Sequence, residues 1–323
     1  MNALGIVIVN WNSGDQLRQC LATLPTAASQ LPASSPLLRV VVVDNGSTDG
    51  SADGLALPRI DLVVQRNADN RGFAAACNQG AAALQTSLLL FLNPDTRLFA
   101  DSLTGPVNLL LRQDQSRTGI VGIALVDDAG GVALSCARFP QAWHFASHAI
   151  GLDRVWPRAG QQMLEWDHGH TRAVDQVIGA FFMVRRALFE SLAGFDESFF
   201  VYFEEVDFAW RARRAGWASV YLADVRAYHR GGGTSDAVKD VRLFYALSSR
   251  LRYGHKHFAL PGRLLLWTVT FVLEPISRVA HLAVAGRWTE IRHAVAAYSL
   301  LWRERAPATG SAGVRSPSVT TDG

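Results

Sequence analysis

Two groups of residues in this chain have the types and spacing for chemistry on a charged, oxygen-rich ligand. The first is Asn93-Pro94-Asp95, which directly follows the apolar run Ser87–Leu92. Such a run reads as a buried strand, and Pro94 ends its hydrogen-bond ladder. Asp95 is thereby held at a strand's carboxyl end, where open α/β sheets bind their ligands. A carboxylate there can hold a divalent cation against a diphosphate; the alternative is an ordinary turn aspartate. The second is Phe203-Glu204-Glu205-Val206-Asp207, adjacent acids in an aromatic setting. Burial and mutual repulsion would raise one of their pKa values toward the range of a general base. The other reading is a solvated helix start, with Asp207 paired to Arg211 one turn on. His229 adds an imidazole that can serve a metal or the fold.

Polar clusters follow two other apolar runs. Asp44-Asn45-Gly46-Ser47-Thr48-Asp49 comes after Leu37–Val43. Asp44 is placed to accept hydrogen bonds from a base or ribose, although a capped turn also uses these residue types. Asn67-Ala68-Asp69-Asn70-Arg71-Gly72 precedes an alanine-rich helix that carries Asn78. Gly72 permits a close backbone approach, and a helix N-terminus favours anions.

The elements that must position these groups alternate. Apolar runs at 5–9, 37–43, 60–65, 87–92 and 119–126 predict strands, with helices near 13–24, 72–85 and 99–113. That order predicts an α/β fold with a mostly parallel sheet flanked by helices. Further strands are expected at 132–136, 174–184 and 217–222, with helices from about Glu204 to Ala215 and over 236–257. Residues 137–173 lack a clear period and read as a long irregular segment, a candidate lid. The expected organisation is a catalytic domain over 1–235, a helical region over 236–305 and a disordered tail over 306–323.

With 49% hydrophobic and 18% charged residues, the 323-residue chain is globular. A net charge of +3 and no recognition motif argue against nucleic acid. Three cysteines make no disulfide framework or metal spacing, and no leader is evident, so a cytoplasmic location is expected. Residues 226–305 carry thirteen Lys/Arg against five Asp/Glu, an excess of eight that fits an anionic surface or ligand.

Five segments occur in order: Val7-Ile8-Val9-Asn10-Trp11-Asn12, Val43-Asp44-Asn45-Gly46-Ser47-Thr48-Asp49-Gly50, Asn70-Arg71-Gly72-Phe73, Asn93-Pro94-Asp95 and Phe203-Glu204-Glu205-Val206-Asp207. Together they resemble the family-2 glycosyltransferases of GT-A fold, and among these the bacterial rhamnosyltransferases, over roughly residues 3–258. The resemblance implies an inverting transfer from a nucleotide sugar, dTDP-L-rhamnose, to a polyprenyl-diphosphate-linked or glycan acceptor in surface polysaccharide synthesis. A UDP-sugar donor, or a non-catalytic domain that binds nucleotide or glycan, is the alternative. Carried over by position, Asn10, Asp44, Asn45, Ser47, Asn70, Gly72, Asn78, Asn93 and Asp95 face the nucleotide sugar. Asp95 and His229 hold Mg2+ or Mn2+, and Glu205 is the base. Glu204, Asp207, Arg242, Tyr245 and Arg250 lie on the acceptor side, with Tyr253 and Lys256 also able to reach its diphosphate. Asn93 stands where the family more often has Asp, and so does Glu205.

The apolar run Leu264–Leu273 is about half the length of a membrane span. With flanking arginines and Trp267, Trp288 and Trp302, it suits an interfacial position; a helical bundle packed on the catalytic domain is the other reading. A lipid-linked acceptor implies peripheral attachment to the inner face of the plasma membrane.

Overall fold

The computed structural model describes residues 4–31, 38–112, 114, 116–231 and 239–305. The expected tail and the domain boundary at 235/236 lie outside the described residues. The first half alternates as β1 (Leu4–Asn10), α1 (Gln16–Ser29), β2 (Leu38–Asp44), β3 (Asp61–Arg66), α2 (Phe73–Ala82), β4 (Leu88–Leu92), β5 (Thr96–Leu98), α3 (Thr104–Leu111) and β6 (Thr118–Val126). Then come β7 (Cys136–Ala137), α4 (Ala142–Ala149), α5 (Leu152–Val155), β8 (Arg172–Val174), β9 (Gln176–Val177), β10 (Phe181–Arg185), α6 (Arg186–Ser191), α7 (Glu204–Arg214) and β11 (Ala218–His229). The C-terminal helices are α8 (Lys239–His257), α9 (Leu260–Thr268), a π-helical turn over Val269–Leu273, α10 (Glu274–Val284) and α11 (Trp288–Arg305).

The main sheet runs β3-β2-β1-β4-β10-β6-β11-β5, with β8 also on β11. Pairing is parallel across β3, β2, β1 and β4. It is antiparallel where β10 enters between β4 and β6. Successive side chains of a strand point to opposite faces. Val7, Val9, Val41 and Val43 therefore pack with α2 and α7 residues, while Ile6, Ile8, Val40 and Val42 pack with α1 and α3 residues. Strands covered on both faces carry unbroken apolar runs, and β1, β4 and β6 are buried throughout. The alanine-rich face of α2 is a packing device as well: a Cβ at Gly80 would lie 2.5 Å from the Val7 side chain.

Strand order reverses beside β1, with β2 and β3 on one side and β4 on the other. Crevices in open α/β sheets form at such reversals, outside the carboxyl ends of the strands. Asn10, Asp44 and Asn93 all sit at those ends.

Several expected elements are resolved differently. The strand expected over 174–184 is three short ones, broken at Asp175 and at the Ile178–Ala180 turn. The one expected over 132–136 is reduced to a bridge from Val132 to Val126 and the two residues of β7. β11 passes Leu222 through a register shift and continues to His229, so that histidine ends the strand opposite Thr96 of β5. The segment 137–173 is not irregular throughout: it contains α4 and α5, and α4 packs on α9.

Candidate active site

At the end of β1, buried Asn10 has Asp44 Oδ1 (3.0 Å), Ser47 Oγ (3.0 Å) and Ser51 Oγ (2.8 Å) within hydrogen-bond distance of its Nδ2, whose two N–H groups these three acceptors share. Its Oδ1 accepts from the Ser13 hydroxyl. Asn45 is equally committed. Its Nδ2 donates to Asn70 Oδ1 (2.8 Å) and Gly72 O (3.2 Å), and its Oδ1 accepts from Asn67 Nδ2 (3.0 Å) and the Arg71 N–H (3.1 Å). An asparagine amide has two donors and about two acceptor sites, so these contacts use the full capacity of Asn45. Asn10 ties the end of β1 to the 44–51 loop, and Asn45 ties that loop to residues 67–72. Asp44 is left at the strand end with Arg66 3.5 Å from its Oδ2.

Gly72 has φ +88°, and a Cβ there would come within 2.7 Å of the Phe200 carbonyl oxygen. The Phe73 N–H donates to that same oxygen (2.6 Å). The glycine thus admits the chain's own 199–201 segment against the start of α2. Asn78 is part of the same closure, bonded through its amide to Phe195 N and O (both 2.9 Å) and to Glu197. Gly72→Ala is expected to cost about 2 kcal/mol or more, from strain plus a clash with backbone that cannot swing away. A urea-midpoint comparison with the parent checks this, and an unchanged midpoint would refute the close approach.

Asn93 and Glu205 are brought together by one turn. The Asn93 N–H donates to Ala180 O (3.0 Å), and the neighbouring Gly179 gives a backbone hydrogen bond to the Glu205 carboxyl; a Cβ on that glycine would stand 3.9 Å from the Glu205 side chain. Tyr202 and Phe203, immediately before α7, both have left-handed backbone, with φ +69° and +70°. Non-glycine residues in that region are strained, and such strain clusters at functional sites.

Glu204 and Glu205 each have a buried Oε2 without a hydrogen-bond partner among the described residues. Burial, then the charge of Glu205, pushes Glu204 well above the ordinary carboxylate range. Burial also raises Glu205, opposed by backbone N–H groups of Glu205, Val206 and Gly179. Asp207 is different in kind. Burial opposes its ionisation, but His257 (2.7 Å), Lys256 (2.7 Å) and Arg211 (2.7 Å) outweigh it and hold the carboxyl low. That network locks α7 to α8.

Asp95 Oδ1 lies 3.3 Å from His229 Nε2, with side chains 8% and 14% exposed. Cis ligands of an octahedral divalent cation, bound at about 2.1 Å, stand about 3 Å apart, so the pair fits two adjacent coordination positions. Among the described residues no cluster of three or more His, Cys, Asp and Glu completes a metal site. A cation held there would need further ligands, such as diphosphate oxygens. A cleft of about 650 Å3 opens beside Asp95, lined also by Asn12, Ser13, Arg97, Tyr228 and Arg230. Its volume suits a small-molecule site. Arg97, stacked on Tyr228 at 3.7 Å, and Arg230 were not singled out from the sequence. Their places next to Asp95 and His229 were the available signal.

On the acceptor side Arg250 requires a correction. It is buried and bonded to Glu274 (2.6 Å) and Thr270 (2.9 Å), so its guanidinium binds α8 to α10 and is not offered to a diphosphate. Tyr253 is buried, and Lys256 is held by Asp196 and Asp207. Tyr245 stacks on Phe200 at 4.6 Å; Arg242 lies on the same helix.

Similarity to known proteins agrees with this geometry. Residues 5–193 match the model for glycosyl transferase family 2. The chain is 29% identical over 245 residues to an N-acetylglucosaminyl-diphospho-decaprenol L-rhamnosyltransferase of Mycobacterium tuberculosis, covering 71% of this chain and 76% of that one. It is 25% identical over 218 residues to the low-salt glycan biosynthesis hexosyltransferase Agl10 of Haloferax volcanii, covering 66% and 62%. In fold it is similar to a mannosyltransferase of Pyrobaculum calidifontis in complex with GDP-Man and Mn2+, with TM-score 0.56, 17% identity and coverage of 94% and 87%. A sheet with its crevice beyond β1 and β4, the ordered motifs and a family match over more than half the chain lead to one assignment: the chain belongs to glycosyl transferase family 2 and is a glycosyltransferase of GT-A fold.

Proposed function

We propose that this enzyme moves L-rhamnose from dTDP-L-rhamnose to a sugar carried on a polyprenyl diphosphate, with inversion at the anomeric carbon. The observation that carries the reading is the Asn93–Ala180–Gly179–Glu205 connection. It links the half-buried Glu205 carboxyl to the strand end two residues before Asp95, whose carboxylate neighbours His229, which supports a shared site. The M. tuberculosis relative, named for L-rhamnose and a decaprenyl-diphosphate sugar, supports the choice of donor and acceptor class.

In this reading Asp44 accepts hydrogen bonds from the base or ribose, and Asn10, Asn45 and Asn70 hold the loops that frame it. Asp95 and His229 would hold Mg2+ or Mn2+, and such a cation would supply positive charge to the departing diphosphate. Glu205 takes the proton of the acceptor hydroxyl as that oxygen bonds to the anomeric carbon. The carbon–diphosphate bond breaks on the opposite face, and its electron pair leaves with dTDP. Asn93, with its backbone fixed to Ala180 and Thr96, offers a neutral side chain beside the sugar.

Thermal shift with dTDP-, UDP- and GDP-sugars in the presence of Mn2+ tests the donor. The expected result is stabilisation by dTDP-L-rhamnose by a few degrees more than by the others, followed by metal-dependent release of dTDP. Preference for a UDP-sugar would replace the rhamnosyl reading. Binding without turnover of any donor would favour a non-catalytic domain.

A further inference from the structure

No described helix is long and apolar enough to cross a membrane. The C-terminal helices nevertheless expose large apolar side chains in an ordered way. On α9, Leu260, Leu264 and Trp267 are exposed, and spacings of three and four place them on one helix face. On α10, Ile276 and Val284 are exposed, the latter 91% so. On α11 the exposed large apolar residues are Trp288, Val295 and Trp302, each seven apart and so on one stripe. Trp267 contacts Phe271 (ring centroids 5.1 Å), and Phe271 contacts Trp302 (5.7 Å), which joins the α9 and α11 faces.

The segment expected to be irregular extends this surface. α4 packs against α9, the π-helical turn and α10, with Ala142 3.8 Å from where a Gly262 Cβ would stand. Here Trp143, Ile150, Val155 and Trp156 are exposed. Buried Arg250 pins the assembly from beneath, with its guanidinium 5.0 Å from the Phe145 ring and bonded to Glu274.

Charge decides what covers such a face. Arg154, Arg158, Arg263, Arg287, Arg292 and Arg303 are exposed across these elements. Among the described residues of 142–159 and 259–303, Asp153 and Glu274 are buried, and Glu290 is half-buried and bonded to Arg287 (2.8 Å). Arg292 falls four after Trp288 and three before Val295, on their own stripe. Tryptophan, aliphatic side chains and arginine without exposed acid are the composition of a surface that lies on anionic lipid.

We propose that α9–α11 and the α4–α5 segment form one platform that rests on an anionic lipid bilayer without crossing it. The proposal draws on the lipid-linked acceptor of the previous section, and it gives that acceptor a route. α8 joins the platform to the 196–203 segment before Glu205, through Ser249 to Val201 O (2.7 Å) and Lys256 to Asp196 (2.7 Å). A lipid-borne sugar would meet the base while its chain stays in the bilayer.

The test is co-sedimentation of the full chain with vesicles of phosphatidylethanolamine containing about a quarter phosphatidylglycerol, without donor or acceptor. The expected result is binding that weakens with salt and with replacement of phosphatidylglycerol by phosphatidylcholine. Ile276→Glu with Val295→Glu should lower it about tenfold or more at an unchanged unfolding temperature, since both side chains are half exposed or more. Arg292→Ala with Arg303→Ala should weaken binding to the anionic vesicles only. Failure of the parent chain to bind, or equal binding by the glutamate variant, would overturn the platform. So would a dimer that the glutamates dissolve without any vesicle binding, because the face would then belong to a second copy. Donor turnover is read separately in solution, so a wrong donor and a wrong platform give different results.

Discussion

Glu205→Gln is expected to lower sugar transfer by about 10²–10⁴-fold while donor binding stays within about twofold of the parent. The amide keeps the shape and loses the ability to take a proton. The site gives the parent carboxylate what a base needs. Burial raises its pKa above the ordinary range, backbone N–H groups still favour its ionised form, and one buried oxygen has no partner among the described residues. The pH dependence follows with a definite sign. Only the carboxylate accepts a proton, so kcat should fall as pH drops through the raised pKa, at a higher pH than an ordinary glutamate would give. Stability moves the other way. The folded chain binds protons at Glu204 and Glu205 more tightly than the unfolded chain does. Their contribution is therefore fully present below the ordinary carboxylate pKa and is lost as pH rises through the folded values. Glu205→Asp, which withdraws the carboxylate by one methylene, should fall between parent and Gln. Single-turnover rates with a soluble acceptor analogue, beside calorimetric donor binding, separate these effects. A Gln variant with the parent's rate would remove Glu205 from the chemistry.

What the sequence reveals about this site follows from what acts locally. β1, β4 and β6 are legible because a strand buried on both faces must be apolar along its whole length. The start of α7 is legible because three acids mark a helix N-terminus. Roles set by distant partners are not legible. Gly72 is shaped by Phe200, Asn78 by Phe195 and Arg250 by Glu274, all through contacts far apart in the chain. Asn45 has the right type for a ligand residue and the right place, but its hydrogen bonds are consumed by Asn67, Asn70, Arg71 and Gly72. α4 and α5 are too short, at eight and four residues, to display a helical period over a sequence window. Their exposed tryptophans and aliphatics blur it further, because the pattern of a half-buried helix presumes a polar outer face.

Asp95→Ala is expected to weaken Mn2+-dependent donor binding by about tenfold or more, with little change in metal-free binding. Asp95 and His229 are 3.3 Å apart, and the described residues around them complete no larger cluster. A site with two protein ligands must take the rest from the donor or from water, so cation and nucleotide sugar should bind with positive coupling. If Asp95 is a ligand, removing its carboxylate takes away the anionic half of the protein's share. Asp95→Asn should keep part of the coupling, and His229→Ala should lose less than Asp95→Ala, because the imidazole brings no charge to the cation. Isothermal titration of the donor with and without Mn2+, for the parent and each variant, measures the coupling directly. If Asp95→Ala and the parent respond equally to Mn2+, the cation is held elsewhere, and the Asp95–His229 contact is structural only. The comparison also bears on Asn93, whose position two residues earlier offers a neutral amide instead of a second carboxylate. A coupling that survives Asn93→Ala but not Asp95→Ala would give the metal to one aspartate alone, with Asn93 left to the sugar.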